Sequence, residues 1–153
     1  DRAQPDISTI YTAPDRLLLT GPQKMVLVST NGKAKATTAV HALPKDALPL
    51  KKGWVVMLDN ALRLYTDKLK EKTAYKLPAG HTVHGLYPIG DRAFGLITEA
   101  AGVWHLVRWD QALKKYVGTK LKGPAGIKTP LMARNPGCLA LGFGTKLWFV
   151  KLK

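Results

Sequence analysis

Residues 53–68 read GWVVMLDNALRLYTDK. Gly53 opens an apolar run from Trp54 to Leu58, the pair Asp59-Asn60 interrupts it, and LRLYT follows before the polar residues Asp67 and Lys68. An apolar run, a polar pair that favours tight turns, and a second run rich in β-favouring residues specify two antiparallel strands joined by a hairpin. A helix would need apolar residues at i, i+3, i+4 and i+7 over several turns. No window of the chain holds such a stripe; the best candidate, Ala61 to Lys72, starts with LRLYT and runs into dense lysines.

The same plan occurs four times: DRLLLTGPQKMVLVSTNG from Asp15, the stretch from Gly53, DRAFGLITEAAGVWHLVRWD from Asp91, and GCLALGFGTKLWFVKLK from Gly137. A further candidate strand precedes each copy, in ISTIYTAP, DALPLKK, TVHGLYPIG and IKTPLMARNP. Three copies are followed by a polar strand rich in Lys and Thr: KAKATTAV, KEKTAYKL and KKYVGTKL. The unit is a four-stranded meander whose second and third strands are most apolar and whose fourth is polar, as suits an outer edge. Starts at 15, 53, 91 and 137 give spacings of 38, 38 and 46 residues, near the roughly 40–45 residues of one propeller blade. The expected fold is therefore all-β, a small or incomplete β-propeller of about four blades over residues 1–153, taken as one domain. The last unit ends at Lys153 without an outer strand, so the ring is closed, open, or completed by dimerisation.

Composition agrees with a folded domain. Of 153 residues, 46% are hydrophobic and 22% charged, and no apolar run approaches the roughly 20 residues of a membrane-spanning helix. The chain opens with Asp1 in DRAQPD, read as a mature end left by signal removal in a periplasmic or secreted protein. A single cysteine, Cys138 in GCLALGF, excludes an intrachain disulfide and reads as a small core residue. The formal net charge of +14 favours an acidic partner or a polyanion.

Catalytic groups are scarce. Only two serines occur, Ser8 and Ser29, neither in a Gly-x-Ser-x-Gly elbow. Burial on an inner strand would leave Cys138 inert. Asp59, Asp67, Asp91 and Asp110 all sit where turns are expected, which accounts for them better than paired-carboxylate hydrolysis does. His81 and His84 invite a metal reading, but residues three apart in a strand face opposite ways and no further ligand completes a set. His105, beside Trp104, should emerge on the other face of its strand and act in packing. Gly142-Phe143-Gly144-Thr145 lacks the spacing and the Lys-Ser/Thr pair of a phosphate loop. No enzyme, metal or cofactor is expected.

What remains is loop chemistry suited to recognition. On a propeller the loops between blades and those between second and third strands share one face. LPAGH, KGPAG, TEAAG, GPQK and FGTK would then form one surface. The units resemble β-propeller blades in general, including the Trp109-Asp110 dipeptide at a strand end, although the Gly-His partner of a WD40 repeat is missing. More loosely, a small exported chain of this build resembles the periplasmic immunity proteins that neutralise cell-wall amidase effectors of type VI secretion. That resemblance implies a stoichiometric inhibitor that plugs an enzyme cleft with a loop. The expected partner is a protein, such as a bacterial effector enzyme, met by His81, His84, Glu99, Gly102, Trp109, Lys122, Gly126 and Lys128. The alternatives are a polyanion or nucleic-acid binder built on Lys114, Lys115, Lys120, Lys122 and Lys128 with Trp109 and Tyr116 for stacking, and a scaffold fragment of a larger propeller.

Overall fold

Each stretch read as a strand forms one in the computed structural model, which describes residues 7–90, 93–110, 113, 115–121, 131–135, 137–143 and 145–151. Sheet 1 runs β1 (Thr9–Ala13), β2 (Arg16–Thr20), β3 (Lys24–Ser29), β4 (Ala34–Ala39); sheet 2 runs β5 (Asp46–Leu50), β6 (Gly53–Leu58), β7 (Ala61–Tyr65), β8 (Glu71–Lys76). Sheet 3 runs β9 (Thr82–Ile89), β10 (Ala93–Ala100), β11 (Val103–Asp110), β12 (Lys115–Leu121). Sheet 4 holds β13 (Leu131–Asn135), β14 (Cys138–Phe143) and β15 (Lys146–Lys151). All are antiparallel meanders in chain order, the blade pattern of a β-propeller. The chain divides into two compact units, Asp1–Lys76 and Leu77–Lys153.

The turns follow local chemistry. Asp59 and Asn60 take φ of 51° and 57°, the left-handed pair that a two-residue hairpin requires. Ala101 and Gly102, at 49° and 78°, make the same turn between β10 and β11. The β3–β4 turn is closed by the Ser29 N–H donating to the Lys33 carbonyl and the Gly32 N–H donating to the Ser29 carbonyl. Thirty-seven positions later, the Thr66 N–H donates to Lys70 and the Leu69 N–H to Thr66. A bulge accompanies each turn, between Leu27 and Val28 and again between Leu64 and Tyr65. The two sheets thus repeat a backbone irregularity, which makes them copies of one unit rather than two hairpins of similar composition.

In the first unit, Leu18, Met25 and Leu27 of sheet 1 pack against Trp54, Val56, Leu58 and Tyr65 of sheet 2. All six residues of β6 are buried. Leu69 holds a left-handed backbone (φ 52°) while its side chain is buried in the same core. Arg16 ties the unit together: its guanidinium donates to the Leu50 carbonyl at 2.9 Å, lies 3.4 Å from Asp67, and sits over the Trp54 ring. In the second unit, Tyr87, Ile97, Trp104 and Leu106 of sheet 3 pack against Leu139, Leu141 and Phe143 of sheet 4. Arg134 donates to the Leu86 carbonyl at 2.6 Å, joining the same two sheets.

Two expectations need correction. Phe94, in the apolar run AFGLI of the third repeat, reads as a core residue like Trp54 and Leu139 in theirs, but it is half-buried, because it stands next to the start of β10 rather than in the strand's centre. Cys138 is likewise half-buried at the first position of β14, so it is not enclosed by apolar neighbours in the way its flanks suggested.

Candidate functional site

In each unit a segment that follows a fourth strand meets a turn between a second and a third strand. After β4, the Val40 N–H donates to the Gln23 carbonyl in the β2–β3 turn, and His41 Nε2 reaches Asp59 in the β6–β7 turn at 3.2 Å. After β8, the segment 77–81 turns back through the His81 N–H to the Pro78 carbonyl and delivers His81 onto the β10–β11 hairpin. Within the first unit GPQK thus meets the segment after β4, and within the second LPAGH meets the β10–β11 hairpin that carries TEAAG, while KGPAG and Gly144 of FGTK lie outside the described residues.

The second unit carries most of the residues singled out in the sequence. The two-residue turn at Ala101-Gly102 fixes the register of β10 on β11, so Thr98 faces His105 and Glu99 faces Trp104. His81 Nδ1 lies 2.9 Å from Oγ1 of the fully buried Thr98, and its ring meets His105 edge-on at 5.1 Å. On the other face, the His84 ring lies 4.6 Å from Trp104, whose own ring meets Phe143 at 5.1 Å in the core. The bulge of β9 falls at His84 itself, which the register passes over between Val83, opposite Thr98, and Gly85, opposite Ile97. His81 and His84 thus lie against residues on opposite faces of the hairpin, although His81 precedes β9 and the bulge at His84 interrupts the simple strand alternation on which that expectation rested.

The tip of the hairpin is held from within. The Gly102 N–H donates to Glu99 Oε1 at 2.6 Å, so the carboxylate braces the turn at its own base. Ala101, Gly102 and Val103 are exposed, Val103 by 39%. A β-branched apolar side chain at the tip of a braced turn is a surface that can be buried by a partner with little loss of chain entropy.

Not every expected residue joins this surface. Trp109 sits at the opposite end of β11 from the turn, roughly 20 Å away at about 3.3 Å per residue, and pairs with Tyr116 of β12 at 5.1 Å. That aromatic pair is a cross-strand contact at the far end of sheet 3. Lys122, Gly126 and Lys128, together with Lys114 and Asp91, lie outside the described residues. Conversely, His105 was read as packing alone, yet it faces His81 directly. The signal for it was available: a two-residue turn at Ala101-Gly102 places Thr98 and His105 opposite one another. Among the described residues no three His, Cys, Asp or Glu side chains gather as a metal site would need.

His84 and His105 both have pKa values shifted below that of a free imidazole. Burial pushes the His84 pKa down, with the Glu99 charge acting weakly in the other direction, and His84 Nε2 is enclosed without a hydrogen-bond partner. Burial also lowers His105, helped by His81 and Lys120. A histidine whose pKa is lower in the folded chain takes up its proton first in the unfolded chain. Stability is then full above the ordinary value near 6.5 and falls as the pH drops toward the folded value. Thermal unfolding followed by circular dichroism should show a melting temperature that declines between about pH 7.5 and pH 5. In His84→Phe, which keeps the stacking on Trp104 and removes the titrating ring, that decline should shrink. An unchanged slope would place the titration elsewhere.

No protein-family model and no curated protein matches the chain. Solved structures do. A functionally unknown protein from Desulfotomaculum acetoxidans DSM 771 superposes with a TM-score of 0.65 at 12% identity, over 97% of this chain and 53% of its own. BBS1N, solved in complex with ARL6DN, gives 0.61 at 16% identity over 95% and 47%. KlHsv2 with loop 6CD replaced by a Gly-Ser linker gives 0.58 at 13% identity over 90% and 45%. At these identities the likeness is one of fold. The chain spans about half the length of each of these three structures.

Proposed function

We propose that the chain is a non-catalytic domain that binds a protein through the surface made by segment 77–81 and the β10–β11 turn. The observation that carries this reading is the braced tip: Glu99 holds the Gly102 N–H while Val103 stands exposed beside it, on a hairpin whose inner residues are fully buried. Recognition by a rigid loop on a sheet scaffold needs no reactive group, and the surface offers apolar, imidazole and carboxylate contacts within one hairpin. BBS1N, a solved structure with a similar fold, was captured in a complex with another protein. The net charge of +14 favours a partner with an acidic or neutral cleft and would speed encounter with it.

The narrower form of the proposal is a periplasmic or secreted inhibitor of a cell-wall hydrolase. It is supported by the loose likeness to amidase immunity proteins and by the basic charge. Fractionation of cells followed by titration of a purified amidase tests both parts.

The general reading is tested by capture from the source organism with a nucleic-acid competition arm. A protein should remain bound at moderate salt in the presence of DNA and heparin. Val103→Asp should weaken its binding by at least about tenfold, the loss of one central contact. If DNA or heparin removes everything that was bound, the basic surface is the functional one and the hairpin reading is wrong.

A further inference from the structure

Three nitrogen-bearing side chains meet on one face of sheet 3. The registers set Thr98, His105 and Lys120 opposite one another on β10, β11 and β12, so all three side chains leave the sheet on the same side. His81 enters that row from the segment before β9, with Nδ1 at 2.9 Å from Thr98 Oγ1 and its ring edge-on to His105 at 5.1 Å. Thr98 is fully buried, so the hydroxyl that holds His81 is fixed within the sheet. Both rings are half-buried and Lys120 is exposed.

The cluster lacks a counter-charge. The segment before β9 brings His81 to this face, β10 the uncharged Thr98, and β12 Lys120. Glu99 belongs to the next row, opposite Trp104, and its carboxylate is taken up by the Gly102 N–H. Burial lowers the His105 pKa, and the positive charges of His81 and Lys120 lower it further. A cation is the wrong ligand for such a place. Lys120 repels it, and among the described residues no three metal-ligating side chains gather.

Val103 decides which anion fits. It stands two residues before His105 on β11, hence on the same face, and is 39% exposed. The Trp109–Tyr116 pair, on which bases would stack, lies at the other end of β11. An aliphatic side chain beside a cationic cluster suits a partner that brings an apolar group and a carboxylate together, as a protein loop does.

We infer that His81, His105 and Lys120 receive an aspartate or glutamate side chain of the partner protein, seated beside the Val103 contact. The inference rests on the reading of this hairpin as a protein-binding surface. The carboxylate accepts from the Lys120 ammonium and from imidazole N–H groups, and its charge favours the imidazolium form of His105. The coupling is reciprocal, so an anion that prefers charged His105 raises the His105 pKa when it binds. The free chain holds that value below the ordinary one and the complex holds it higher, so the complex forms with uptake of a proton between the two. Affinity therefore rises as the pH falls from about 8 to about 6, and drops again only near pH 4, where the partner's carboxylate is itself protonated.

Glutarate, added to the purified chain at constant ionic strength, probes the cluster directly, with the His105 ring signals followed by NMR and assigned through His105→Gln. It should move the His105 titration midpoint upward. Lys120→Gln alters an exposed residue and should fold, as circular dichroism will verify; it should raise the midpoint in the free chain and remove most of the glutarate effect. The captured protein should bind roughly tenfold tighter at about pH 6 than at about pH 8. A midpoint that glutarate leaves unmoved overturns the inference, and so does a captured protein whose binding responds to Val103→Asp but not to pH; in both cases the general reading stands. If no protein is captured, the general reading fails and takes the inference with it, even where glutarate moves the midpoint. A thymidine oligonucleotide that shifts His105 together with Trp109 and Tyr116, where glutarate does not, gives the cluster to nucleic acid instead.

Discussion

Gly53→Ala should remove about 3–5 kcal/mol of stability, the sum of a strained backbone and an overpacked site. Gly53 starts β6 at a φ of +139°, which residues with a Cβ rarely adopt, and a Cβ there would stand 1.9 Å from the Tyr65 carbonyl oxygen. The obstacle is backbone, one strand over, at the bulge between Leu64 and Tyr65. Moving it means moving β7 away from the most buried strand of the first unit. Denaturant unfolding of the purified variant measures the loss. A cost below about 1 kcal/mol would mean that the bulge yields easily and that Gly53 is placed there for another reason.

Trp104→Ala should cost a similar amount, about 3–5 kcal/mol for a large buried aromatic. Trp104 is 2% exposed and touches both the Phe143 ring of the core and the His84 ring near the surface. Its loss would empty the centre of the second unit's core and leave the His84 imidazole with nothing to stack on. The effect on partner binding should therefore exceed the effect of a comparable cavity elsewhere. Leu139→Ala is the control, since it opens the same core without touching His84. If both variants weaken binding equally once folded, Trp104 acts through stability alone.

The strand order, the four repeats and the polar outer strands were legible because they rest on local pattern: alternation, turn residues and spacing. The hairpin of β6 and β7 could be read from sixteen residues. What could not be read depends on register. The bulges at Leu27/Val28 and Leu64/Tyr65 leave no residue signature, since neither carries a glycine, and the true offset between sheets 1 and 2 there is 37 rather than 38 residues. The meeting of His81 with His105 joins a loop to a strand 24 positions away, through a connection whose path periodicity does not specify. Trp109 was grouped with the residues around Gly102 because Trp109-Asp110 marks a strand end, but the end it marks is the one away from that turn, and both residues lie inside β11.

Leu69 carries a last consequence. It occupies the turn position that Gly32 fills in sheet 1, yet a Cβ at Gly32 would meet open space, whereas the Leu69 side chain is built into the core. Transplanting STNGK in place of TDKLK would relax the backbone at that point and leave a void the size of a leucyl group. The two sheets have therefore ceased to be interchangeable parts: they share a backbone plan inherited along the chain, but each has become a lock cut for its own neighbours.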